Sequence, residues 1–224
     1  VFVGEAAHVK QFVDAGFWEA LDQAPYNADV SDQFDYAVQM GTDSNGTLRA
    51  LTWQMTPAGW CYRRSIAKEV LGTDDPTEVA EHFSSWDKVM ETAKIMKQAG
   101  YTMFPGIGDG VYRVFYGSRT TPWIDKNRNF QIDENIYEYL RLSKEIRDNG
   151  YDAKLSDWSG PFFEEMNTAP EDAKSFVFGW PTWGLHFVLS GQENSKGDWG
   201  ITSSPNPWSW GGTWVGIYKD SPNK

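Results

Sequence analysis

Val1-Phe2-Val3-Gly4-Glu5-Ala6-Ala7-His8-Val9-Lys10-Gln11-Phe12-Val13-Asp14-Ala15-Gly16 changes its hydrophobic period at one residue. Before Gly4 the run is β-branched and aromatic, the composition of a strand. After it, Ala6, Val9, Phe12 and Val13 recur at helical spacing, and Ala15-Gly16 supplies a stop. Strand, glycine, helix is an α/β opening, and the rest of the chain repeats the alternation. Asp43-Ser44-Asn45-Gly46 is a hairpin-type turn, and Thr47 to Thr56 reads as a strand running on to Cys61-Tyr62. Ser65 to Leu71 is a short helix closed by Gly72. Ser84-Ser85-Trp86-Asp87 has a capping-box form, and Val89, Met90, Ala93 and Ile95-Met96 line one helix face that ends at Gly100. Tyr101 to Phe104 reads as a buried strand before a glycine-rich loop. Asp133 to Asn149 is the clearest helix, with Ile136, Tyr139, Leu140 and Ile146 on one face and Gly150 at its stop. Lys174 to Phe178 reads as a strand, Gly184 to Leu189 as a helix, and Trp199 to Ser203 and Thr213 to Tyr218 as strands. No fixed-period repeat is visible. Ligand in such an architecture is expected at loops beyond strand C-termini.

The chain of 224 residues carries 20 Lys+Arg against 31 Asp+Glu, a net charge of −11. Without a basic run to track phosphates, nucleic acid is excluded as a partner. Cys61 is the single cysteine, so no internal disulfide framework exists. No apolar run reaches the roughly 18 residues of a membrane span. Twelve tryptophans, ten tyrosines and thirteen phenylalanines are more aromatic surface than a core of this size needs. Flat apolar rings with a polar handle suit the C–H faces of sugars, and equally protein interfaces and cores.

Motifs for chemistry are sparse. His8, His82 and His186 are scattered without metal-ligand spacing, so no metal or other cofactor is expected. No G-x-S-x-G elbow is present, and Cys61 between Trp60 and Tyr62 reads as a structural thiol. Gly106-Ile107-Gly108-Asp109-Gly110 imitates a dinucleotide fingerprint, but Val111 stands where the third glycine belongs. Asp125, Asn127, Asn129, Gln131 and Asp133 alternate like a calcium loop, yet Phe130 and Ile136 occupy the positions needing Gly and Glu, so a polar hairpin tip is the better reading. Glu164-Glu165 reads as a solvated face. No catalysis is expected. A glycoside hydrolase, which also lines its subsites with aromatics, and a stand-alone carbohydrate-binding module are the competing readings.

The order of features resembles bacterial extracellular solute-binding proteins of ABC importers, the carbohydrate-binding type that includes maltose-binding protein. Val1 to Glu5 and Phe12 to Asp22 resemble its early segment, and Asn45 to Trp53 its hairpin into the first interlobe strand. Tyr62 with Ile66, Val70, Leu71 and Gly72, and Ser85-Trp86-Asp87 with Ala99-Gly100, are similar to its tyrosine-bearing strand and Trp-Asp helix. Gly179-Trp180-Pro181-Thr182-Trp183, Gly197-Asp198-Trp199-Gly200 and Gly211-Gly212-Thr213-Trp214-Val215-Gly216-Ile217 resemble its later segments. Arg63-Arg64 replaces the family's usual Asn-Lys, and its first strands and closing helices have no counterpart, so an internal fragment is expected.

The resemblance implies a periplasmic-binding-protein-like α/β fold of two lobes, one incomplete. Residues 1–54 would be partial lobe 1 with the first hinge strand, 55–200 lobe 2, and 201–224 the return to lobe 1. It implies a mono- or oligosaccharide ligand delivered to the membrane permease subunits of an ABC importer. The location implied is extracellular, on a cell-surface lipoprotein or in the periplasm. Trp180 and Trp183 are the implied stacking platforms, with Tyr112 and Asp109 after the glycine-rich loop, then Trp214 and Trp53. Glu5 and His8 match polar lobe 1 contacts. Trp180 follows a strand and precedes Pro181, so its ring is expected to leave the sheet and be exposed. Trp86 and Trp18 are expected in the core.

Overall fold

The computed structural model describes residues 1–125 and 127–224, and the chain divides into two compact units, Val1–Thr56 with Trp210–Lys224, and Pro57–Ser209. In the first unit, β1 (Phe2–Glu5) leads directly into α1 (Ala6–Asp14), and α2 (Asp35–Gly41) precedes β2 (Leu51–Gln54). The sheet order is β1-β7-β2, with β7 (Thr213–Gly216) antiparallel to both neighbours. Glu5 caps α1 by accepting the Ala7 N–H at 2.8 Å. Val9, Val13, Trp18, Ala37, Ala50 and Trp214 form the core. Trp18 fills the space left over Gly4 and Gly216, where any Cβ would meet its ring. Strand β1 is an edge, and Val1, Phe2 and Val3 stay exposed beside an apolar recess lined by Phe2, Phe12, Phe17, Trp18 and Tyr218.

The second unit is built on β3 (Pro57–Arg63), flanked by β4 (Val177–Pro181) and β5 (Trp199–Thr202), with β6 (Trp208–Ser209) also pairing β3. All these pairings are antiparallel. The helices are α3 (Arg64–Leu71), α4 (Pro76–Glu81), α5 (Trp86–Gln98), α6 (Arg113–Gly117), α7 (Glu134–Asn149), α8 (Gly160–Met166) and α9 (Thr182–Phe187). A single wide turn, Gly108–Tyr112, leads into α6. Gly72 and Gly150 end α3 and α7 in left-handed conformations, the stops anticipated from sequence. Ser85 rather than Ser84 caps α5, accepting the Lys88 N–H.

Three expected strands differ. The run from Thr47 to Tyr62 breaks between β2 and β3 before Pro57, which has no N–H to continue a ladder. Tyr101 to Phe104 forms only parallel bridges, Thr102 with Ser175 and Phe104 with Asp152. The strand expected at Lys174 to Phe178 begins only at Val177 and runs on to Pro181. The alternating polar residues at 125–131 form a hairpin tip: the Asp125 carboxylate accepts the N–H groups of Asn127 and Asn129, each at 2.8 Å, with Ile124 bridging Phe130. Glu165 turns inward and accepts the Lys174 and Ser175 N–H groups, unlike the solvated face expected of it. Cys61 is buried in β3, and burial pushes its thiol up to about 12. No helix among the described residues is long and apolar enough to cross a membrane.

Two predictions follow from buried charge. Arg63 and Asp198 are paired at 2.6 Å and both buried, so Asp198→Ala, which strands a guanidinium, should lower unfolding free energy by about 3–5 kcal/mol in urea titration. Asp133 caps α7 through the Asn135 N–H and also accepts from Thr120 and Thr121 N–H, contacts that hold its carboxyl down to about 2 against the ordinary 3.8. The stability this carboxylate contributes is full above pH 3.8 and is lost as pH falls toward 2. Melting curves of Asp133→Ala and the parent should therefore differ most at neutral pH and converge across that window.

Candidate functional site

The glycine-rich loop 106–110 approaches three other segments too closely for a side chain. A Cβ on Gly106 would strike the Leu155 carbonyl, one on Gly108 would strike the Asp157 carboxylate, and one on Gly110 would lie 3.2 Å from the Gly179 nitrogen. The glycines thus serve close backbone packing rather than phosphate binding. Their seating fixes Asp109 at the head of the wide turn, where its N–H donates to Asp157 Oδ2 at 3.0 Å.

Asp109 then organises its surroundings. Its Oδ1 accepts from Arg113 Nε at 3.0 Å, one turn further along, and its Oδ2 accepts from the Trp158 indole at 2.7 Å. Trp158 has φ +63°, a left-handed conformation unfavourable for a bulky side chain and held here by its neighbours. Its ring lies 6.3 Å from that of Trp183 at an interplanar angle of 22°, so the two are stacked. Trp180 meets both edge-on, at 5.5 Å from Trp158 and 6.2 Å from Trp183. Phe163 abuts Trp158 from α8 and Phe162 abuts Trp180. Trp158 remains 46% exposed and Trp183 half-buried, so an aromatic surface beside a carboxylate and a guanidinium faces solvent. Asp157 is pushed above the ordinary carboxylate range by burial, and next by the nearby Asp109 charge.

The sequence-expected residues fall in both units. Trp180, Trp183 and Asp109 belong to this cluster. Tyr112 follows on the same turn as Asp109, packed edge-on to Tyr139 at 5.3 Å and tilted against Tyr116 at 5.4 Å. The exposure expected of Trp180 is not found: it is 1% exposed, because α9 folds back over it with Gly184, where a Cβ would sit 2.6 Å from the indole. In the first unit, Trp214 is buried with its indole donating to the Ala37 carbonyl, Glu5 caps α1, His8 is exposed on α1, and Trp53 is 66% exposed on β2. Trp158 was missed. Its signal is a large aromatic inside Ser156-Asp157-Trp158-Ser159-Gly160, a turn-forming stretch with no core periodicity to claim it.

No family model matches the sequence, and no curated protein is significantly similar to it. The fold is periplasmic-binding-protein-like, mixed α and β, and its structural neighbours are extracellular solute-binding proteins. With the crystal structure of an extracellular solute-binding protein of family 1, the chain aligns over 98% of its length at TM-score 0.82 and 18% identity, covering 57% of that chain. An ABC-transporter-associated binding protein from Bifidobacterium animalis subsp. lactis, in complex with β-1,6-galactobiose, aligns at TM-score 0.69 and 18% identity over 98% of this chain and 55% of its own. The GacH receptor of Streptomyces glaucescens, described unliganded and with acarbose, aligns at TM-score 0.68 and 21% identity over 99% of this chain and 57% of its own. The chain therefore spans little more than half the length of these structures.

The glycine packing is directly testable. Gly106→Ala must displace the Leu155 backbone, so it should cost about 1–3 kcal/mol in thermal melting, the scale of overpacking. The same variant should shift tryptophan emission as Asp109 moves from Trp158.

Proposed function

We propose that this chain is part of an extracellular solute-binding protein that holds a mono- or oligosaccharide, without chemical change, for delivery to the membrane permease of an ABC importer. The observation that carries this reading is the Trp158–Trp183 stack, partly exposed and bordered by Asp109 and Arg113. Parallel indole faces cover the C–H surfaces of a pyranose, while carboxylate and guanidinium orient hydroxyl groups at its rim. Two structural neighbours are described with glycosides, β-1,6-galactobiose and acarbose, which supports the ligand class. On this reading Val1–Thr56 with Trp210–Lys224 stands for the partial lobe expected at 1–54 and 201–224, and Pro57–Ser209 for the lobe expected at 55–200, with residues 201–209, expected in the first, falling in the second. A site outside the cytoplasm, in the periplasm or on a lipid-anchored surface protein, goes with it.

A hydrolase would need two carboxylates facing each other across a glycosidic bond. Asp109 and Asp157, the two acids of the cluster, are instead turned onto the chain's own indole, guanidinium and backbone groups. Binding without turnover is the reading this favours.

Calorimetric titration of the full chain with maltose, β-1,6-galactobiose and acarbose, followed by sugar analysis of the mixtures, tests the proposal. At least one should bind and be recovered intact. Trp158→Ala and Trp183→Ala should each weaken that binding by about 1 to 3 kcal/mol, the scale of covering an aromatic face. Released monosaccharide above a heat-inactivated control would transfer the chain to the hydrolase class. Unchanged affinity in both variants would remove the stack from the site.

A further inference from the structure

Asp157 and Trp158 are consecutive, and both reach the same residue. Asp157 Oδ2 accepts the Asp109 N–H at 3.0 Å, and Asp109 Oδ2 accepts the Trp158 indole N–H at 2.7 Å. The four groups close a ring that holds Trp158 in its left-handed conformation. We propose that this ring is a proton-operated latch, in which a proton on Asp157 tightens Trp158 onto Asp109 and so links sugar binding to proton uptake. The second half rests on the carbohydrate reading above, and the first does not.

Charge around the ring is unevenly met. Asp109 has Arg113 on its Oδ1 at 3.0 Å. Asp157 holds the Asp109 backbone N–H and feels the Asp109 charge, with Arg113 a smaller influence, and its charge also reaches Tyr139 of α7, whose hydroxyl donates to the Ile107 carbonyl. The carboxylate occupies the place where a side chain on Gly108 would begin, so Asp157 is seated against the glycine-rich loop. Ionised Asp157 is therefore opposed by burial first and by Asp109 second. A carboxyl raised above 3.8 in the folded state contributes stability that is full below 3.8 and is lost as pH rises through its folded pKa. Protonated, Asp157 still offers a carbonyl oxygen to the Asp109 N–H, while the repulsion between the two acids disappears. A sugar covering Trp158 would exclude more water, raise Asp157 further and draw in a proton. Asp157 is thus a positioning residue, acting on the ligand through Asp109 and Trp158.

The latch is tested first without ligand. Tryptophan emission of the full chain is titrated from pH 7.5 to 4, and the Trp158→Phe titration is subtracted to isolate Trp158. A transition with its midpoint above 3.8 is expected, and Asp157→Asn, a neutral isostere that keeps the acceptor, should be flat at the low-pH signal. Asp157→Ser serves the same purpose if the Asn variant melts early. Absence of the transition, or its survival in both variants, overturns the latch. Calorimetry with β-1,6-galactobiose or maltose in two buffers of different ionisation heat then counts protons. Fractional uptake per sugar bound, lost in Asp157→Asn, and severalfold tighter binding at pH 5 than at pH 7.5 are expected. Sugar binding without proton uptake overturns the linkage. A titrating Trp158 in a chain that binds no sugar refutes the carbohydrate reading and leaves the latch standing.

Discussion

One guanidinium ties the second unit together. Arg63 ends β3, and its Nε meets the Asp198 carboxylate while its Nη groups donate to the carbonyls of Met166, the last residue of α8, and Thr168 just beyond it. It also lies over the Trp199 ring at 4.9 Å. Asp198 in turn accepts from the Ser65 N–H and hydroxyl at the start of α3, and its backbone carbonyl accepts the Arg64 N–H. Buried ions of opposite sign are tolerated when their remaining polar atoms also find partners, and here each guanidinium nitrogen and both carboxylate oxygens have one. The pair thereby fixes Arg63 opposite Trp199 in the β3–β5 register. It also anchors the C-terminal end of α8, the helix whose Phe162 and Phe163 support the tryptophan cluster.

On the other side of β3, Gly59 pairs with Trp180, and β4 passes directly into α9. That passage places Trp183 two residues past the end of β4, so two indoles reach one cluster from adjacent elements. The third comes from 156–160, pressed against the glycine loop. The geometry of the cluster thus descends from a buried ion pair through strand register to ring positions. A loss of register by one residue would turn Trp180 to the opposite face of the sheet.

Much of this was legible before the fold was known, and the reasons are local. Helices with glycine stops, such as the one ending at Gly150, announce themselves because the stop needs a positive φ that other residues resist. Trp180 and Trp183, which meet in one cluster, were singled out through a resemblance in Gly179-Trp180-Pro181-Thr182-Trp183. Three things were not readable. The burial of Trp180 depends on Gly184 letting α9 lie on its ring, a contact of tertiary origin. Trp158 depends on partners 49 residues away in sequence and on a backbone conformation that its residue type disfavours. The Arg63–Asp198 pair was equally hidden, since Arg63 read only as a departure from a familiar pattern, and its partner lies 135 positions downstream.

Cys61 has a practical consequence. Its thiol is shut inside β3 and held far from ionisation at neutral pH, so maleimide and iodoacetamide reagents, which attack the thiolate, will find almost none of it in the folded chain. The native sequence therefore serves as its own cysteine-light background. A cysteine introduced at an exposed position in each unit, such as Thr182 in one and Gln11 in the other, could carry a donor and an acceptor dye. Energy transfer between them would then report the separation of the two units in solution, with and without sugar, free of stray label.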